Sequence, residues 1–175
     1  MPCDSIIAII LASGKGTRFG MPKAEAGWGG KSFLEHVLHT LDSALLKNVF
    51  VARHYASPDM LATLRLAVSD FKLENKDKLV SAYLVFPVDF PFVKPETVSA
   101  LISAHHQNPQ AVIRPCFEQR CGHPIVIPTS LNLFTNDEGR GLQGIIRSCQ
   151  LLTLDIPVDD QGIHRNINKP KDLLL

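Results

Sequence analysis

Residues 5–11 of this chain read Ser-Ile-Ile-Ala-Ile-Ile-Leu, an apolar run with no alternation. A run this short and this rich in β-branched side chains fits a strand buried on both faces; a half-exposed strand would alternate. Leu79 to Phe86 is a second such run and reads as another central strand. Strands buried on both faces need covers on both sides, and the intervening sequence supplies them. Ser32 precedes Glu35 at capping-box spacing, and Phe33, Leu34, Val37, Leu38, Leu41 and Leu45 form an apolar helical stripe. Asn48 to Ala52 reads as a strand, and Ser57-Pro58 as the N-cap and first turn of a helix carrying Leu61, Leu64, Val68 and Phe71. Pro95 opens a helix with Val98, Leu101 and Ile102 turned inward. Shorter strands are predicted over 111–114, 124–127 and 151–156, a short helix over 142–149, and a terminal helix from Pro170.

Alternating strands and helices require crossover connections. The expected fold class is therefore α/β: a three-layer α/β/α, Rossmann-like arrangement around a mostly parallel sheet. At 175 residues the chain has room for one domain, taken as 1–175. Ligands in such sheets bind at the carboxyl ends of the strands, which directs attention to the residues after Leu11 and after Phe86.

Charge and composition exclude several partners. Eighteen Lys+Arg against seventeen Asp+Glu leave a net charge of +1, so no basic face is available to displace counterions and no nucleic-acid partner is expected. No apolar run approaches the roughly 20 residues that span a bilayer. Asp4 sits where a secretory signal needs positive charge, so a cytoplasmic location is expected. Cys3, Cys116, Cys121 and Cys149 form no C-x-x-C, and only Cys116 and Cys121 are close; four free thiols in a reducing compartment are expected.

The loop after the first strand reads Leu11-Ala-Ser-Gly-Lys-Gly-Thr-Arg-Phe-Gly-Met-Pro-Lys23. It is not a P-loop, because Gly14-Lys15 is followed by Gly16 and the upstream glycine position holds Ile9. Nor is it the dinucleotide fingerprint, because Phe19 takes the place of the third glycine. Its small residues let backbone N–H groups approach an anion, and Lys15, Arg18 and Lys23 add three cations within nine residues. Such a cradle suits a triphosphate better than a single carboxylate. Asp89 in Val88-Asp89-Phe90-Pro91 follows the second apolar run. A carboxylate among apolar neighbours needs a cation or several donors, and Mg²⁺ shared with substrate phosphates is a natural partner. A turn-capping role before the Pro95 helix is the structural alternative.

The pattern L-A-x-G-x-G-x-R-x-G-x-P-K resembles the signature of the MobA-like NTP transferases, which have a nucleotide-diphospho-sugar transferase fold and include the molybdenum cofactor cytidylyltransferases and guanylyltransferases. The resemblance implies that Leu11, Ala12, Ser13 and Gly14 line the base and ribose. It further implies that Lys15, Gly16 and Arg18 hold the triphosphate and that Lys23 neutralises charge near the α-phosphate. Asp89-Phe90-Pro91 matches the family's Asp-x-Pro metal motif, which implies Mg²⁺ on Asp89. Gly122-His123-Pro124 is similar to a motif of the cytidylyltransferase branch, so CTP is expected over GTP; His123 either contacts the second substrate or shapes its loop. Asn166-Ile-Asn168-Lys-Pro170 is similar to the family's terminal motif, which implies Asn168 as second metal ligand, although both asparagines also suit a helix cap.

The activity implied is transfer of a nucleoside monophosphate to a phosphate acceptor such as molybdopterin, with pyrophosphate as leaving group and a molybdoenzyme as a further partner. A sugar-1-phosphate nucleotidyltransferase and a non-catalytic nucleotide-binding accessory protein are the alternatives. Four features depart from the family pattern. The Trp28 loop is polar and glycine-rich but lacks the leucine pair that typically follows Pro-Lys. Residues 50–57 run almost straight into the next helix, residues 137–141 keep acids and glycines but not the usual spacing, and Lys169 replaces a threonine.

Overall fold

A computed structural model describes residues 6–14, 20–136 and 139–174 of the chain. The first apolar run forms β1 (Ile6–Leu11), buried at every position. A two-strand ribbon follows, β2 (Gly27–Trp28) and β3 (Lys31–Ser32). Its turn falls on Gly29 and Gly30, with φ of 59° and 80°. Side chains rarely adopt that region, and the glycines there turn an expected loop into a hairpin. Helix α1 (Phe33–Ser43) starts with the capping box, Ser32 accepting from the Glu35 N–H while the Glu35 carboxylate accepts from the Ser32 N–H. Then come β4 (Val49–Ala52), α2 (Met60–Glu74), β5 (Ala82–Pro87) and α3 (Pro95–Gln107). The second half contributes β6 (Val112–Phe117), β7 (Arg120–Cys121), β8 (Ile125–Pro128), α4 (Gly141–Ser148) and β9 (Thr153–Pro157).

Seven strands form one sheet in the order β4-β1-β5-β8-β6, with β7 and β9 both paired to β6. β1 is parallel to β4 and β5, and β9 is parallel to β6. β8 is antiparallel to both its neighbours and β7 to β6, so the sheet is mostly parallel in direction with one reversed strand at its centre. Alternate residues of β1 and β5 go to opposite faces. Ile6, Ala8, Ile10, Leu84 and Phe86 pack with α1 and α3 residues, while Ile7, Ile9, Tyr83 and Val85 pack with α2 and α4 residues. The three-layer α/β/α expectation is thereby met.

Four expectations are refined or corrected in detail. Helix α2 is capped by Asp59, whose carboxylate accepts from the Ala62 N–H at 2.8 Å, rather than by Ser57-Pro58. The second central strand starts at Ala82, because Leu79 is exposed and Lys78 bonds back to Asn48. The terminal helix from Pro170 is a five-residue 3-10 helix, Pro170–Leu174. Finally, Cys116 and Cys121 are not free thiols: they face each other across the β6–β7 hairpin and are joined as a disulfide. Their spacing surrounds a two-residue turn at Glu118-Gln119, which carries none of the usual turn residues. Cys149 is a free thiol, as expected. Among the described residues, no helix is long and apolar enough to cross a membrane.

Candidate functional site

The parallel register of β1 with β5 sets Leu11 beside Pro87, and the Val88 N–H donates to the Leu11 carbonyl at 3.1 Å. The glycine-loop entrance and Asp89 therefore leave the sheet side by side at its carboxyl edge. Ala12 is bound to β4 through its N–H on the Ala52 carbonyl (3.0 Å), and the Ser13 hydroxyl donates to the same carbonyl (2.9 Å). Ser13 Oγ also accepts from the Tyr55 N–H, so Ser13 ties the loop to the segment after β4 and its hydroxyl is already engaged. Gly14 is exposed beside the Lys23 stem. Lys15, Gly16 and Arg18 lie outside the described residues.

Lys23 returns to the sheet edge because the Pro22 carbonyl accepts from the N–H groups of Glu25 and Ala26, at 2.9 and 3.1 Å. Its ammonium then donates to Asp89 Oδ2 at 2.7 Å and to Asn168 Oδ1. Lys23 and Asp89 are largely shielded, with side-chain exposures of 19% and 16%. In water such a pair contributes little; shielding strengthens it and makes loss of either partner more costly. Three residues from three distant parts of the sequence thus meet at one point.

Asn168 is held there by the backbone. Ile167 N–H donates to the Asp89 carbonyl at 2.8 Å, bringing the C-terminal segment onto the strand end. The N–H groups of Asn168 and Lys169 both donate to Asp172 Oδ2 at 2.9 Å. Those bonds hold the Asp172 carboxyl below its ordinary pKa, the Asn168 bond being the stronger cause. Asp172 does the capping, and the Asn168 amide is left to face Lys23 while its Nδ2 donates to Asn166.

A carboxylate oxygen and an amide oxygen converging on one positive group form a hard, oxygen-only donor set of the kind Mg²⁺ prefers. The Lys23 ammonium stands where such an ion would sit, so Asp89 and Asn168 fit a divalent cation chemically.

Two cavities open along this edge. One, of about 510 Å³, is lined by Leu11, Ser13, Gly14, Lys23 and Asp89 together with Tyr55. The Tyr55 hydroxyl donates to Asp70 at 2.7 Å. Burial, then that carboxylate, pushes its pKa up to about 12, so the phenol stays neutral. The other cavity, of about 500 Å³, is lined by Gly122 and His123 with Arg114, Arg140 and Arg147. Asp59 and Met60 border both. A phosphate tail and a second acidic molecule could lie in adjoining spaces.

His123 lines the second cavity, precedes a cis peptide bond to Pro124 and makes a ring contact with Phe90 at 5.0 Å. Its Nδ1 is buried and meets no hydrogen-bond partner among the described residues. Burial pushes the imidazole pKa down, and the nearby Asp89 charge pulls it partly back. Gly122 is required by close approach, since a Cβ there would sit 2.2 Å from the Ile163 carbonyl oxygen.

The MobA-like NTP transferase domain matches residues 8–152. The chain belongs to the MobA-like NTP transferase family. A probable molybdenum cofactor guanylyltransferase from Bacillus cereus (strain Q1) is 30% identical over 118 residues, covering 60% of this chain and 59% of that protein's length. Among solved structures, Rv0371c from Mycobacterium tuberculosis H37Rv aligns with a TM-score of 0.78 at 16% identity, covering 96% of both chains. Molybdopterin-guanine dinucleotide biosynthesis protein A from Archaeoglobus fulgidus aligns with a TM-score of 0.62 at 22% identity, covering 95% of this chain and 94% of that one. These likenesses establish the nucleotidyltransferase fold for this MobA-like chain.

Sequence reasoning missed several residues at this edge. Asp160 is buried and accepts from the Lys94 N–H, the Thr97 hydroxyl and the Gly162 N–H, fixing the start of α3 against the C-terminal segment. Asp159-Asp160 followed by Gly162 was the available signal. Arg114, Arg140 and Arg147 lie too far apart in sequence to form a motif, and only the fold gathers them.

Proposed function

We propose that this chain is a Mg²⁺-dependent nucleotidyltransferase that moves a nucleoside monophosphate from an NTP to the phosphate of a molybdopterin-type acceptor, with release of pyrophosphate. The observation that supports it best is the meeting of Lys23, Asp89 and Asn168 beside the cavity that the glycine loop opens. An acceptor phosphate oxygen attacks the α-phosphorus, and that bond forms as the bond to the β-phosphate oxygen breaks. The nucleophile is already ionised, so no general base is required; positioning and charge carry the reaction.

Lys15, Gly16 and Arg18 hold the triphosphate, with the two cations on its β- and γ-oxygens, while Leu11 to Gly14 face base and ribose. Asp89 and Asn168 hold the metal. When bound, Mg²⁺ supplies positive charge against the phosphate oxygens. With a cation held by the Asp89 and Asn168 oxygens, Lys23 would be free to offset charge at the α-phosphoryl. Asn168 brings no negative charge, so cation affinity leans on Asp89 and the substrate.

For the base, CTP is the first donor proposed, on Gly122-His123-Pro124. GTP is the second reading, favoured by the guanylyltransferase name of the Bacillus cereus relative. A molybdoenzyme would be the recipient of the product.

The test is pyrophosphate release from CTP, GTP, ATP and UTP, each with Mg²⁺ and with molybdopterin or a sugar 1-phosphate as acceptor. Release with molybdopterin and one preferred nucleotide supports the proposal, and the preferred base decides between CTP and GTP. Release only with the sugar phosphate replaces the acceptor. Saturable nucleotide binding with no pyrophosphate under any combination makes the chain an accessory protein and ends the transferase reading.

A further inference from the structure

The β6–β7 hairpin stands apart from the phosphate end of the site, yet Cys121, Gly122 and His123 at its exit help wall the second cavity. Cys116 and Cys121 are direct cross-strand partners with Cα atoms 4.1 Å apart and are joined as a disulfide. Between them, Glu118 and Gln119 both occupy the left-handed region, at φ 48° and 64°. A two-residue turn with both φ positive is suited to Asn-Gly or Gly-Gly. Glu and Gln adopt it at a cost, so this hairpin does not hold its shape by turn chemistry alone. Further ties hold it: the disulfide between its own strands, the Val158 N–H donating to the Cys116 carbonyl at 2.9 Å, and His164, whose Nε2 donates to the Arg120 carbonyl at 2.9 Å and whose ring meets Phe117.

Asp155 lies close enough to both sulfurs to suggest a metal site. Arg114, however, already donates to both of its carboxylate oxygens, at 2.8 and 3.0 Å. A structural zinc site needs four ligands, and with Asp155 committed the two sulfurs fall short of it among the described residues. Disulfide chemistry is the better use of the pair.

We propose that Cys116 and Cys121 are a reversible thiol–disulfide site that sets the shape of the β6–β7 hairpin and, through it, the wall of the second cavity. The oxidant is a low-molecular-weight disulfide of the glutathione class. The Cys121 thiolate, on the cavity side, attacks one of its sulfurs and releases one small thiol. The Cys116 thiolate then attacks the mixed disulfide and displaces the second. Two protein thiols and one small disulfide become one protein disulfide and two small thiols. The bridged residues are only five apart, so the bond constrains the hairpin and closes a far shorter loop than a long-range disulfide would. Any effect on catalysis rests on the function proposed above; the redox site does not.

The test equilibrates the full chain with reduced or oxidised glutathione, counts alkylated cysteines by mass, and follows hydrogen exchange in each form. The oxidised chain is expected to carry two fewer alkyl groups. Peptides over 116–123 are expected to exchange about tenfold faster in the dithiol form, with β1 and β5 unchanged. Cys116→Ser should exchange like the dithiol form in either buffer. Full alkylation at every glutathione ratio, equal exchange in the two forms, loss of protection across the whole sheet, or oxidised-like exchange in Cys116→Ser each overturns the proposal. In a transfer assay, reduction should raise KM for the acceptor and leave KM for the nucleotide unchanged; parallel changes remove the link to the cavity. A chain with no transferase activity refutes the function while leaving the alkylation and exchange results to decide the redox site.

Discussion

Lys23 Nζ lies 2.7 Å from Asp89 Oδ2, in a chain where 66 positions separate the two residues. The ammonium therefore occupies the point that a divalent cation would need, so on the proposed function lysine and metal would compete for Asp89. Lys23→Met should raise the affinity for Mn²⁺ alone by on the order of tenfold while lowering transfer, because it removes a competing charge. Calorimetric titration of the nucleotide-free chain reads this directly. Unchanged or weaker Mn²⁺ binding would mean that Asp89 and Asn168 are not the ligands.

Asp89→Asn keeps the shape of the strand end and removes the formal negative charge that faces Lys23. Transfer should fall by about 10²-fold or more, with nucleotide binding measured in EDTA little changed. Arg18→Ala should cost transfer on the order of 10²-fold, as removal of one preorganised phosphate donor does. Near-normal turnover in Arg18→Ala would remove that residue from its assigned role.

Gly122 and Gly162 hold the C-terminal segment at distances no side chain tolerates. A Cβ on Gly122 would meet the Ile163 carbonyl oxygen at 2.2 Å, and one on Gly162 would meet the Phe92 carbonyl oxygen at 2.1 Å. Either alanine substitution should cost about 3 kcal/mol, read as a lower urea midpoint. Alanine at exposed Gly20, where nothing lies within 4 Å, is the contrasting case, its cost limited to the left-handed backbone.

Asp160→Ala should be of similar severity, about 2–4 kcal/mol, since it strands the Lys94 and Gly162 N–H groups and the Thr97 hydroxyl together. Chemical denaturation measures it. A loss under about 0.5 kcal/mol would show that water replaces the carboxylate there.

Stability should also depend on pH through His123 and His105, both pushed below the ordinary imidazole value chiefly by burial. With folded pKa values depressed, the unfolded chain binds more protons between the folded values and about 6.5. Their contribution is complete above about 6.5 and is lost as pH falls below it, flattening once the folded values are passed. His123→Gln should reduce the slope of the urea midpoint against pH in that range. An unchanged slope would assign the dependence to other groups.

Much of this architecture is legible in the sequence because it follows from pattern. The apolar runs Ser5 to Leu11 and Leu79 to Phe86 read as central strands, the second beginning three residues later than its run, and Ser32 with Glu35 fixes a helix start to the residue. Asp89 and the glycine-loop entrance are neighbours because parallel strands β1 and β5 are neighbours, a consequence of fold class alone. What stays hidden depends on long-range pairing. Nothing near Lys23 announces that its ammonium will reach Asn168, and nothing near Arg114 announces that it will share a cavity with Arg147. The β6–β7 hairpin was missed for a local reason: Glu118-Gln119 is not turn chemistry, and the bond that compensates joins residues on either side of it.

The Ile167 N–H on the Asp89 carbonyl carries a consequence for how the protein comes into being. Translation makes Lys23 and Asp89 well before Asn168, so this edge of the sheet can be completed only after the C-terminal segment is made. Only when the late segment threads across the strand end does the amide arrive opposite the carboxylate. On the proposed function, a chain nicked before Ile167 would keep Asp89 and Lys23 in place and lose one of the two oxygens that would hold a cation, so transfer would be weakened until the C-terminal segment is seated.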